Sequence, residues 1–380
     1  MQEATLSRRK NRLESMHESA AALALLALMV WGLTQLFGAW RNPQGLEFPQ
    51  SRADFWEGRT TTTLERQLDQ HLPERTHLIA LANGLRFQIT GGAGEQVRVG
   101  REGRLFLTEE LQHVPDGPQN LLARADLLQG VQQALRKKDI DLLVALVPDK
   151  ARIDATYLRS GQYPAFNAAR YTQALQALQS RGVGVVDLRT PFEAARTQGE
   201  IYYRTDTHWN QTGADIAAKA IAQTARGLTL QLPPTQFTTD TAGPAAPRLG
   251  DLMQLMGMAS LPAFMRPSDD VETPVQTRQT SVEAGNSLFG DSQVPVTLLG
   301  TSYSLRGNFH GYLQQHLGAK VLNMGKDGGG FLQAANTYFR DEAFRSSPPR
   351  LVVWELPERF LYPALKEETD WLRGIGWAVP

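Results

Sequence analysis

From residue 118 onward, two patterns of hydrophobic positions alternate along the chain. Apolar residues with helical spacing occupy 120–138, 168–181, 211–225, 306–317 and 331–344. Short and nearly continuous apolar runs occupy 141–148, 182–188, 294–300, 319–323 and 350–356. Buried strands that alternate with amphipathic helices are typical of a parallel sheet covered on both faces. The pattern therefore predicts an α/β fold.

A different apolar run lies near the N-terminus. Residues 19–40 form 22 positions without a charge, enough for a helix to cross ~30 Å of hydrocarbon. Basic residues are concentrated in the preceding segment, 1–18, which the positive-inside rule keeps cytoplasmic. A cleaved signal peptide is the alternative, but the run is long and bulky Phe37 stands where cleavage requires a small residue. We predict an uncleaved transmembrane anchor.

The remaining segments have less regular patterns. Residues 41–62, which contain Pro43 and Pro49, are predicted to form a stalk. Helical spacing resumes between 63 and 89, with a break expected near Pro73. The sequence V-G-R-E-G-R-L-F-L (99–107) predicts a turn followed by a short strand. We assign one domain to 63–362 and a C-terminal tail to 363–380. Within the domain, 227–292 is rich in Pro, Thr, Gly and Met, and it is predicted as an insertion over one face of the sheet that helps to form a cleft.

Composition and charge exclude several classes of protein. Lys and Arg together number 39, as do Asp and Glu, so nothing at the level of the whole chain indicates nucleic-acid binding. The absence of cysteine excludes thiol catalysis, disulfides and Cys-ligated metal centres. The seven histidines form no metal-binding pattern. We therefore predict neither a metal nor a cofactor.

The first candidate for chemistry is Ser302, in G-T-S-Y-S (300–304). It follows the predicted strand 294–300 and precedes a predicted helix. Active sites of open α/β sheets lie beyond the carboxyl ends of the strands, and a helix N-terminus offers free N–H groups to an oxyanion. A Gly-x-Ser sequence is also common in ordinary turns, so this observation alone leaves both interpretations open.

The second candidate is the pair Asp206 and His208, in D-T-H-W (206–209) just before the helix at 211–225. An imidazole could take the proton of the Ser302 hydroxyl, and a carboxylate could orient that imidazole. Alternatively, Asp206 caps the helix and His208 is a surface residue. Together, the positions of the three residues at strand–helix junctions favour a catalytic relay.

These motifs, in this order, resemble those of the SGNH-hydrolase-like O-acetyltransferases of bacterial exopolysaccharide systems. This AlgJ/AlgX-like family acts on alginate and has cellulose-acetylating counterparts. The resemblance extends over about residues 60–362 and includes four further blocks beside the 99–107 block: L-V-P-D-K-A-R-I (146–153), L-G-D-L (249–252), V-L-N-M-G-K-D-G-G-G (321–330) and V-W-E-L-P-E-R (353–359). Simple esterases of this fold carry a G-D-S block and a downstream D-x-x-H. The upstream D-x-H found here favours the acetyltransferases.

The resemblance implies an SGNH-hydrolase-like, flavodoxin-like three-layer domain that follows one N-terminal transmembrane helix. It implies that Ser302 is the nucleophile that becomes acetylated, that His208 is the general base and that Asp206 orients it. The oxyanion would be bound by the Ser302 N–H and by Tyr312 or Asn323. Each of the last two could equally be a packed tyrosine or a turn-forming asparagine.

The resemblance further implies a single-pass protein of the bacterial inner membrane with its catalytic domain in the periplasm. There it would acetylate hydroxyls of alginate or cellulose, a choice that the neutral charge leaves open. A multi-pass membrane acyltransferase would supply the acetyl group, and other exopolysaccharide secretion proteins would be partners. Trp209 either stacks on a sugar ring or packs under the following helix. The alternative functions are an acetyl-polysaccharide esterase and a non-catalytic polysaccharide-binding scaffold of the secretion complex.

Overall fold

The computed structural model describes residues 75–280, 294–365, 368 and 371–377, together with Leu26, residues 29–31 and Thr34. The chain divides into two compact units, residues 1–82 and 83–380. In the first unit the described positions between 26 and 34 are helical. Most of the predicted anchor, the whole stalk and the predicted break near Pro73 lie outside the described residues. Where the chain is described, no helix combines the length and the apolar character needed to span a bilayer.

The secondary structure is numbered here in chain order. The described strands are β1 (Val97–Val99), β2 (Leu105–Leu107), β3 (Asp141–Val147), β4 (Val185–Asp187), β5 (Phe237–Thr241), β6 (Ala246–Arg248), β7 (Asp270–Glu272), β8 (Val275–Gln279), β9 (Val296–Leu299), β10 (Val321–Asn323) and β11 (Leu351–Pro357). The described α-helices are α1 (Arg75–Thr90), α2 (Gly117–Arg136), α3 (Lys150–Ile153), α4 (Arg170–Ser180), α5 (Arg189–Arg196), α6 (Gln211–Arg226), α7 (Asp251–Leu255), α8 (Phe309–Leu317), α9 (Gln333–Arg340), α10 (Glu342–Ser346) and α11 (Trp371–Gly374).

Five strands form the central sheet in the order β10-β9-β11-β3-β4, and every neighbouring pair is parallel. If β9, β10, β11, β3 and β4 are renumbered 1 to 5, the order of the strands across the sheet becomes 2-1-3-4-5. That is the strand order of the flavodoxin-like fold. The sheet is therefore flavodoxin-like with a circularly permuted connection, which places the loop after β4 upstream of β9 in the sequence.

Alternate residues of each strand face opposite sides of the sheet, as the period of two requires. In β3, Leu142, Val144 and Leu146 join one hydrophobic cluster with residues of α2, α4, α9, α10 and α11. Leu143 and Ala145 join the other cluster with residues of α5, α6 and α8. These two clusters confirm the predicted three-layer α/β domain.

Two predicted boundaries differ from the structure. The predicted helix 331–344 is divided into α9 and α10 at Asp341, whose backbone is extended and whose Oδ1 accepts a hydrogen bond from the Ala343 N–H. A carboxylate in this position begins a new helix. In the region predicted as a tail, Trp371 and Leu372 are buried in the same hydrophobic cluster as α2. The described residues of that region therefore belong to the packed unit.

The described part of the predicted insertion, residues 227–280, contains two nested antiparallel ribbons, and the rest of that segment lies outside the described residues. Strand β5 pairs with β8, and β6 pairs with β7 inside them. The outer ribbon lies against α8, where Thr277 Oγ1 accepts a hydrogen bond from Asn308 Nδ2 at 2.9 Å. A Cβ on Gly311 would lie only 2.2 Å from Thr277 Oγ1, so the glycine allows this close approach. The inner ribbon ends at Gly250 and α7, whose residues contact the candidate site.

Candidate active site

Ser302 begins a short 3₁₀ turn, Ser302–Leu305, that follows strand β9. Thr301 caps this turn, because its Oγ1 accepts a hydrogen bond from the Tyr303 N–H at 3.2 Å. The predicted helix from 306 begins instead at Phe309, after Gly307 and Asn308 in left-handed conformations with φ of 61° and 57°. Ser302 is partly exposed, and its N–H has no acceptor in the part of the chain that the structure describes.

A buried carboxylate stabilises this turn through hydrogen bonds. Glu355, near the carboxyl end of β11, accepts hydrogen bonds from the Thr301 N–H at 2.8 Å and from Ser304 Oγ at 3.0 Å. Burial raises the pKa of Glu355, and these donors oppose the shift. A Cβ on Gly300 would lie 2.5 Å from Glu355 Oε2. Glycine at this position therefore lets the strand end pass directly over the carboxylate.

The loop that carries Asp206 and His208 is closed on itself by an isolated bridge between Tyr202 and Trp209. The buried side chain of Lys150, which is 1% exposed, hydrogen-bonds to backbone atoms of this loop. The Lys150 ammonium donates to the carbonyl oxygens of Leu105, Arg204 and Asp206 at 2.7, 2.9 and 2.8 Å. Three acceptors satisfy all three N–H groups of an ammonium, so the loop conformation is fixed around this side chain.

The structure brings the three predicted catalytic side chains together. Asp206 Oδ1 lies 2.6 Å from His208 Nδ1, and His208 Nε2 lies 2.6 Å from Ser302 Oγ. Asp206 Oδ1 also accepts a hydrogen bond from the His208 backbone N–H at 2.9 Å. Burial alone would raise the pKa of Asp206, but the bonds from His208 and the charge of Arg248 hold it well below its usual range. An ionised carboxylate, an imidazole and a hydroxyl thus form one continuous line.

Two residues of the insertion also reach this line, and the sequence pattern indicated neither of them. Arg248 Nη1 donates to Asp206 Oδ2 at 2.8 Å, and the Asp251 backbone N–H donates to the same oxygen at 3.0 Å. The Asp251 carboxylate accepts from the Thr207 N–H at 2.7 Å, and its Oδ2 lies 3.5 Å from His208 Nδ1. The only signal that could have pointed to Asp251 is its place in the L-G-D-L block.

Ligand atoms of Asp206, His208 and Asp251 lie within 4.8 Å of one another, as in some metal sites. The same atoms form the hydrogen-bonded line to Ser302, and the Arg248 guanidinium already occupies one oxygen of Asp206. A positive charge this close disfavours a second cation. The arrangement therefore fits a proton relay better than a metal centre.

Comparison with known proteins gives a consistent result. A family model described as "SGNH hydrolase-like domain, acetyltransferase AlgX" matches residues 97–358. The chain belongs to this family. It is similar to the probable alginate O-acetylase AlgJ of Pseudomonas syringae pv. tomato, with 33% identity over 90% of this chain and 88% of that protein. It is also similar to the probable alginate O-acetylase AlgJ of Azotobacter vinelandii, with 32% identity over 92% and 89%.

Solved structures extend the likeness to three dimensions. The O-acetyltransferase domain of Pseudomonas putida AlgJ superposes with a TM-score of 0.64 and 33% identity, over 73% of this chain and 98% of that one. Pseudomonas aeruginosa AlgX superposes with a TM-score of 0.54 and 23% identity, over 69% and 62%. At that identity, the second match shows the fold alone. The predicted membership in the SGNH-hydrolase-like AlgJ/AlgX family is thereby confirmed.

The structure decides between the two alternatives for Trp209. Trp209 is 0% exposed, so its ring cannot stack on a sugar from solvent. The ring lies between Tyr303 and Phe309, with centroid distances of 5.0 and 4.7 Å, and Nε1 donates to the Arg306 carbonyl oxygen at 3.4 Å. Trp209 therefore joins the His208 loop to the segment that follows Ser302, which is the packing alternative.

The two candidates for the oxyanion site have other partners. Asn323 Nδ2 donates to the Ser304 carbonyl oxygen at 2.8 Å, and Asn323 Oδ1 accepts from the Gly325 N–H at 2.9 Å. Asn323 thus connects the nucleophile turn to the loop after β10. Tyr312 lies on α8, partly buried against the hydrophobic cluster of that face. In the described part of the chain, neither side chain is hydrogen-bonded to Ser302.

Substitution of Gly250 tests how closely the insertion fits the relay. A Cβ at Gly250 would lie 2.0 Å from the Thr205 carbonyl oxygen, a backbone atom that cannot simply rotate away. We expect Gly250→Ala to lower activity at least about tenfold, since a displacement of 1 Å can cost up to ~100-fold, and to destabilise the fold by about 1–3 kcal/mol. Activity assays and urea unfolding would measure both effects.

Gly199→Ala is the matched control, because nothing lies within 4 Å of a Cβ there. Equal activity of the two alanine variants would show that the Gly250 contact does not constrain the relay.

Proposed function

We propose that the protein is an O-acetyltransferase that moves an acetyl group through Ser302 onto hydroxyls of an exopolysaccharide. The observation that carries the proposal is the continuous Asp206–His208–Ser302 line, with 2.6 Å at each junction, in a chain of the AlgX-type family. The similar AlgJ proteins, named probable alginate O-acetylases, favour alginate over cellulose.

The geometry supports a two-step transfer. In the first step Ser302 Oγ attacks the acetyl carbonyl carbon while His208 Nε2 accepts the hydroxyl proton. The leaving group departs with that proton, and acetyl-Ser302 remains. In the second step a sugar hydroxyl attacks the acetyl carbon and gives its proton to His208. The Ser302 oxygen leaves and takes this proton from His208, so the enzyme is regenerated.

The electrostatic parts of this mechanism come from the surroundings of Ser302. Asp206 remains ionised because His208 and Arg248 hold its pKa low, and it stabilises the imidazolium formed in each step. The free backbone N–H of Ser302 is the proposed donor to the oxyanion. The proposal assigns this role to neither Tyr312 nor Asn323, because Asn323 is bonded to Ser304 and Gly325 and Tyr312 packs against the hydrophobic cluster of α8.

The acceptor would approach the exposed side of the nucleophile turn. Arg306 follows this turn, and its side chain is 41% exposed in an ion pair with Asp327 at 3.1 Å. Because such an exposed pair is weak, the guanidinium can exchange Asp327 for the carboxylate of a uronic acid. This supports an anionic acceptor such as alginate.

The cellular setting remains part of the proposal. Residues 19–40 would anchor the protein in the inner membrane, with the catalytic domain in the periplasm. A multi-pass membrane acyltransferase would supply acetyl groups, and other exopolysaccharide secretion proteins would assemble with it. Cleavage of 19–40 from the mature protein, detected by mass spectrometry, would contradict the anchor.

The test offers a choice of acceptors to the purified full chain. The protein is incubated with 4-nitrophenyl acetate and with mannuronate oligosaccharides, cello-oligosaccharides or no sugar, and mass spectrometry follows acetyl on the sugar. We expect acetylated mannuronate, little acetylated cello-oligosaccharide and slow hydrolysis without sugar. Hydrolysis at one rate in all three reactions would establish an esterase instead. Release of nitrophenol at the protein-free rate would support the scaffold.

A further inference from the structure

We propose that Arg248 is a positioning residue that commits His208 to Asp206 rather than to Asp251. The described part of the insertion, residues 227–280, then completes the catalytic relay instead of merely covering the sheet. This inference rests on the proposed function for its activity assays, although the pairing of His208 can be measured without a substrate.

Two carboxylates compete for the same imidazole nitrogen. His208 Nδ1 lies 2.6 Å from Asp206 Oδ1 and 3.5 Å from Asp251 Oδ2. Asp206 is almost fully buried, whereas the Asp251 side chain is 35% exposed. A small rotation of the imidazole towards Asp251 would also turn Nε2 away from Ser302. The choice between the two carboxylates therefore decides whether the line to Ser302 exists.

Of the two competing carboxylates, Arg248 contacts only that of Asp206. Its Nη1 donates to Asp206 Oδ2 at 2.8 Å, and this charged hydrogen bond, with the Asp251 N–H, fixes the plane of the Asp206 carboxylate. The Oδ1 atom is then directed at His208. The Asp251 carboxylate is held instead by the N–H and hydroxyl of Thr207, at 2.7 and 3.1 Å from its Oδ1.

Arg248 is itself held in place on three sides. Its Nε lies 3.0 Å from Glu272 Oε2, and the guanidinium carbon lies 4.0 Å from the centroid of the Tyr203 ring. The Tyr203 hydroxyl donates to Glu272 Oε1 at 2.5 Å, and β6, which ends at Arg248, pairs with β7, which ends at Glu272. The guanidinium is therefore preorganised, which a lysine could not reproduce because it lacks the planar fork.

Charges around the pair act in the same direction. Hydrogen bonds from His208 and the charge of Arg248 overcome burial and lower the pKa of Asp206, while burial and the Asp206 charge raise the pKa of Asp251. Environments that move the pKa values of two carboxylates apart in this way give the two groups different roles. The other ionisable groups that face the pair are Lys150, which contacts the Asp206 carbonyl oxygen, Asp270, Glu272, Tyr203 and Tyr303.

The pH dependence follows from the sign of the Arg248 charge. A nearby positive charge disfavours binding of a proton by the Asp206–His208 dyad, so Arg248→Gln makes the dyad take up its proton at a higher pH. The base must be unprotonated to accept the Ser302 proton. We expect the acid limb of the kcat/KM profile to move up by about 0.5 to 1 pH unit.

The experiment compares the full-length wild type with five variants in ester hydrolysis and sugar acetylation. Arg248→Gln should lower kcat about 10- to 100-fold and shift the acid limb, whereas Arg248→Lys should lower kcat but leave the limb nearly in place. Arg278→Gln is the matched control, because Arg278 lies on the outer ribbon in an exposed pair with Asp240. It should leave both quantities unchanged.

The double variant, Arg248→Gln with Asp251→Asn, and the single variant Asp251→Asn test the competition itself. Removing the charge of Asp251 should restore part of the kcat lost in Arg248→Gln, although Asp251→Asn alone should not raise it. Strictly additive losses would overturn the proposal. So would an unchanged acid limb in folded Arg248→Gln, because the arginine would then contribute only stability or substrate contact.

A substrate-free measurement separates this inference from the proposed function. Nuclear magnetic resonance of ¹⁵N-labelled histidine follows the tautomer and proton uptake of His208 in the same variants. A shifted titration in Arg248→Gln, even without acetyl transfer by the wild type, would support the role of Arg248 and reject the function. If the wild type transfers acetyl groups but the His208 titration is the same in Arg248→Gln, the proposed function stands and the role of Arg248 is rejected.

Discussion

Replacement of Ser302 by alanine should lower the rate of acetyl transfer by a factor of about 10³ to 10⁶. The hydroxyl that lies 2.6 Å from His208 Nε2 is the atom that would receive the acetyl group, and alanine leaves no substitute for it. The fold should survive, since Ser302 is partly exposed and its side chain makes no described bond except that to His208. Initial rates and intact-protein mass spectrometry would measure the loss of both turnover and acetyl-enzyme.

The turn supplies its own control. Ser304 lies two residues further along, is 1% exposed and donates to Glu355 at 3.0 Å. Ser304→Ala should cost about 1–2 kcal/mol of stability but keep the acetyl-enzyme and retain activity within about tenfold. Equal losses in the two variants would mean that the turn matters only as a structure. An unchanged rate in Ser302→Ala would remove Ser302 from the mechanism.

The largest effect on stability is expected from Arg152. Its Nε donates to Glu358 Oε2 at 2.8 Å, and its two terminal nitrogens donate to the carbonyl oxygens of Ala168 and Asn167 at 2.9 and 3.0 Å. Glu358 is 0% exposed. Arg152→Met would leave this carboxylate buried without its cation, which costs about 3–5 kcal/mol. Urea unfolding followed by circular dichroism would show a lower midpoint with a similar slope.

A surface pair gives the reference for that measurement. Arg189 and Glu193 lie 2.7 Å apart on α5, with side chains 33% and 48% exposed. Arg189→Met should change the free energy of unfolding by less than about 0.5 kcal/mol. Adding Glu358→Gln to Arg152→Met should recover part of the loss, because the unpaired charge is removed. A loss below about 1 kcal/mol for Arg152→Met would show that Glu358 is stabilised by other groups.

The central sheet was predictable because its strands are buried on both faces. Such strands appear in a sequence as continuous apolar runs, and L-L-V-A-L-V in β3 is one of them. The position of Ser302 was also predictable, since a polar residue directly after such a run lies at the carboxyl edge of a parallel sheet. The Asp206–His208 pair was indicated by its place just before the helix at 211–225. The alternation of helices and strands could not show the order of the strands in the sheet. It therefore did not reveal the circular permutation that places the loop after β4 upstream of β9.

Arg248 and Asp251 could not be found by the same reasoning. Arg248 ends β6 and Asp251 begins the short helix α7, and the neighbouring ribbons have two strands each with mostly exposed side chains, so no apolar period marks this region. Only the pairing of Arg248 with Asp270 in β6 and β7, in combination with the fold around it, brings the guanidinium to Asp206. For Trp209 the sequence left stacking and packing as equal alternatives, because local sequence does not indicate which face of a loop becomes buried.

The position of β11 has a consequence for the order in which the protein acquires its structure during synthesis. This strand is the last of the five in the chain, yet it pairs with both β3 and β9 in the middle of the sheet. Until it emerges from the ribosome, β3–β4 and β9–β10 have no common neighbour, and Ser302 has no Glu355 beneath it. Such long-range pairing is slow, and it makes the nascent chain a late folder. Assembly of the relay must then follow synthesis of β11.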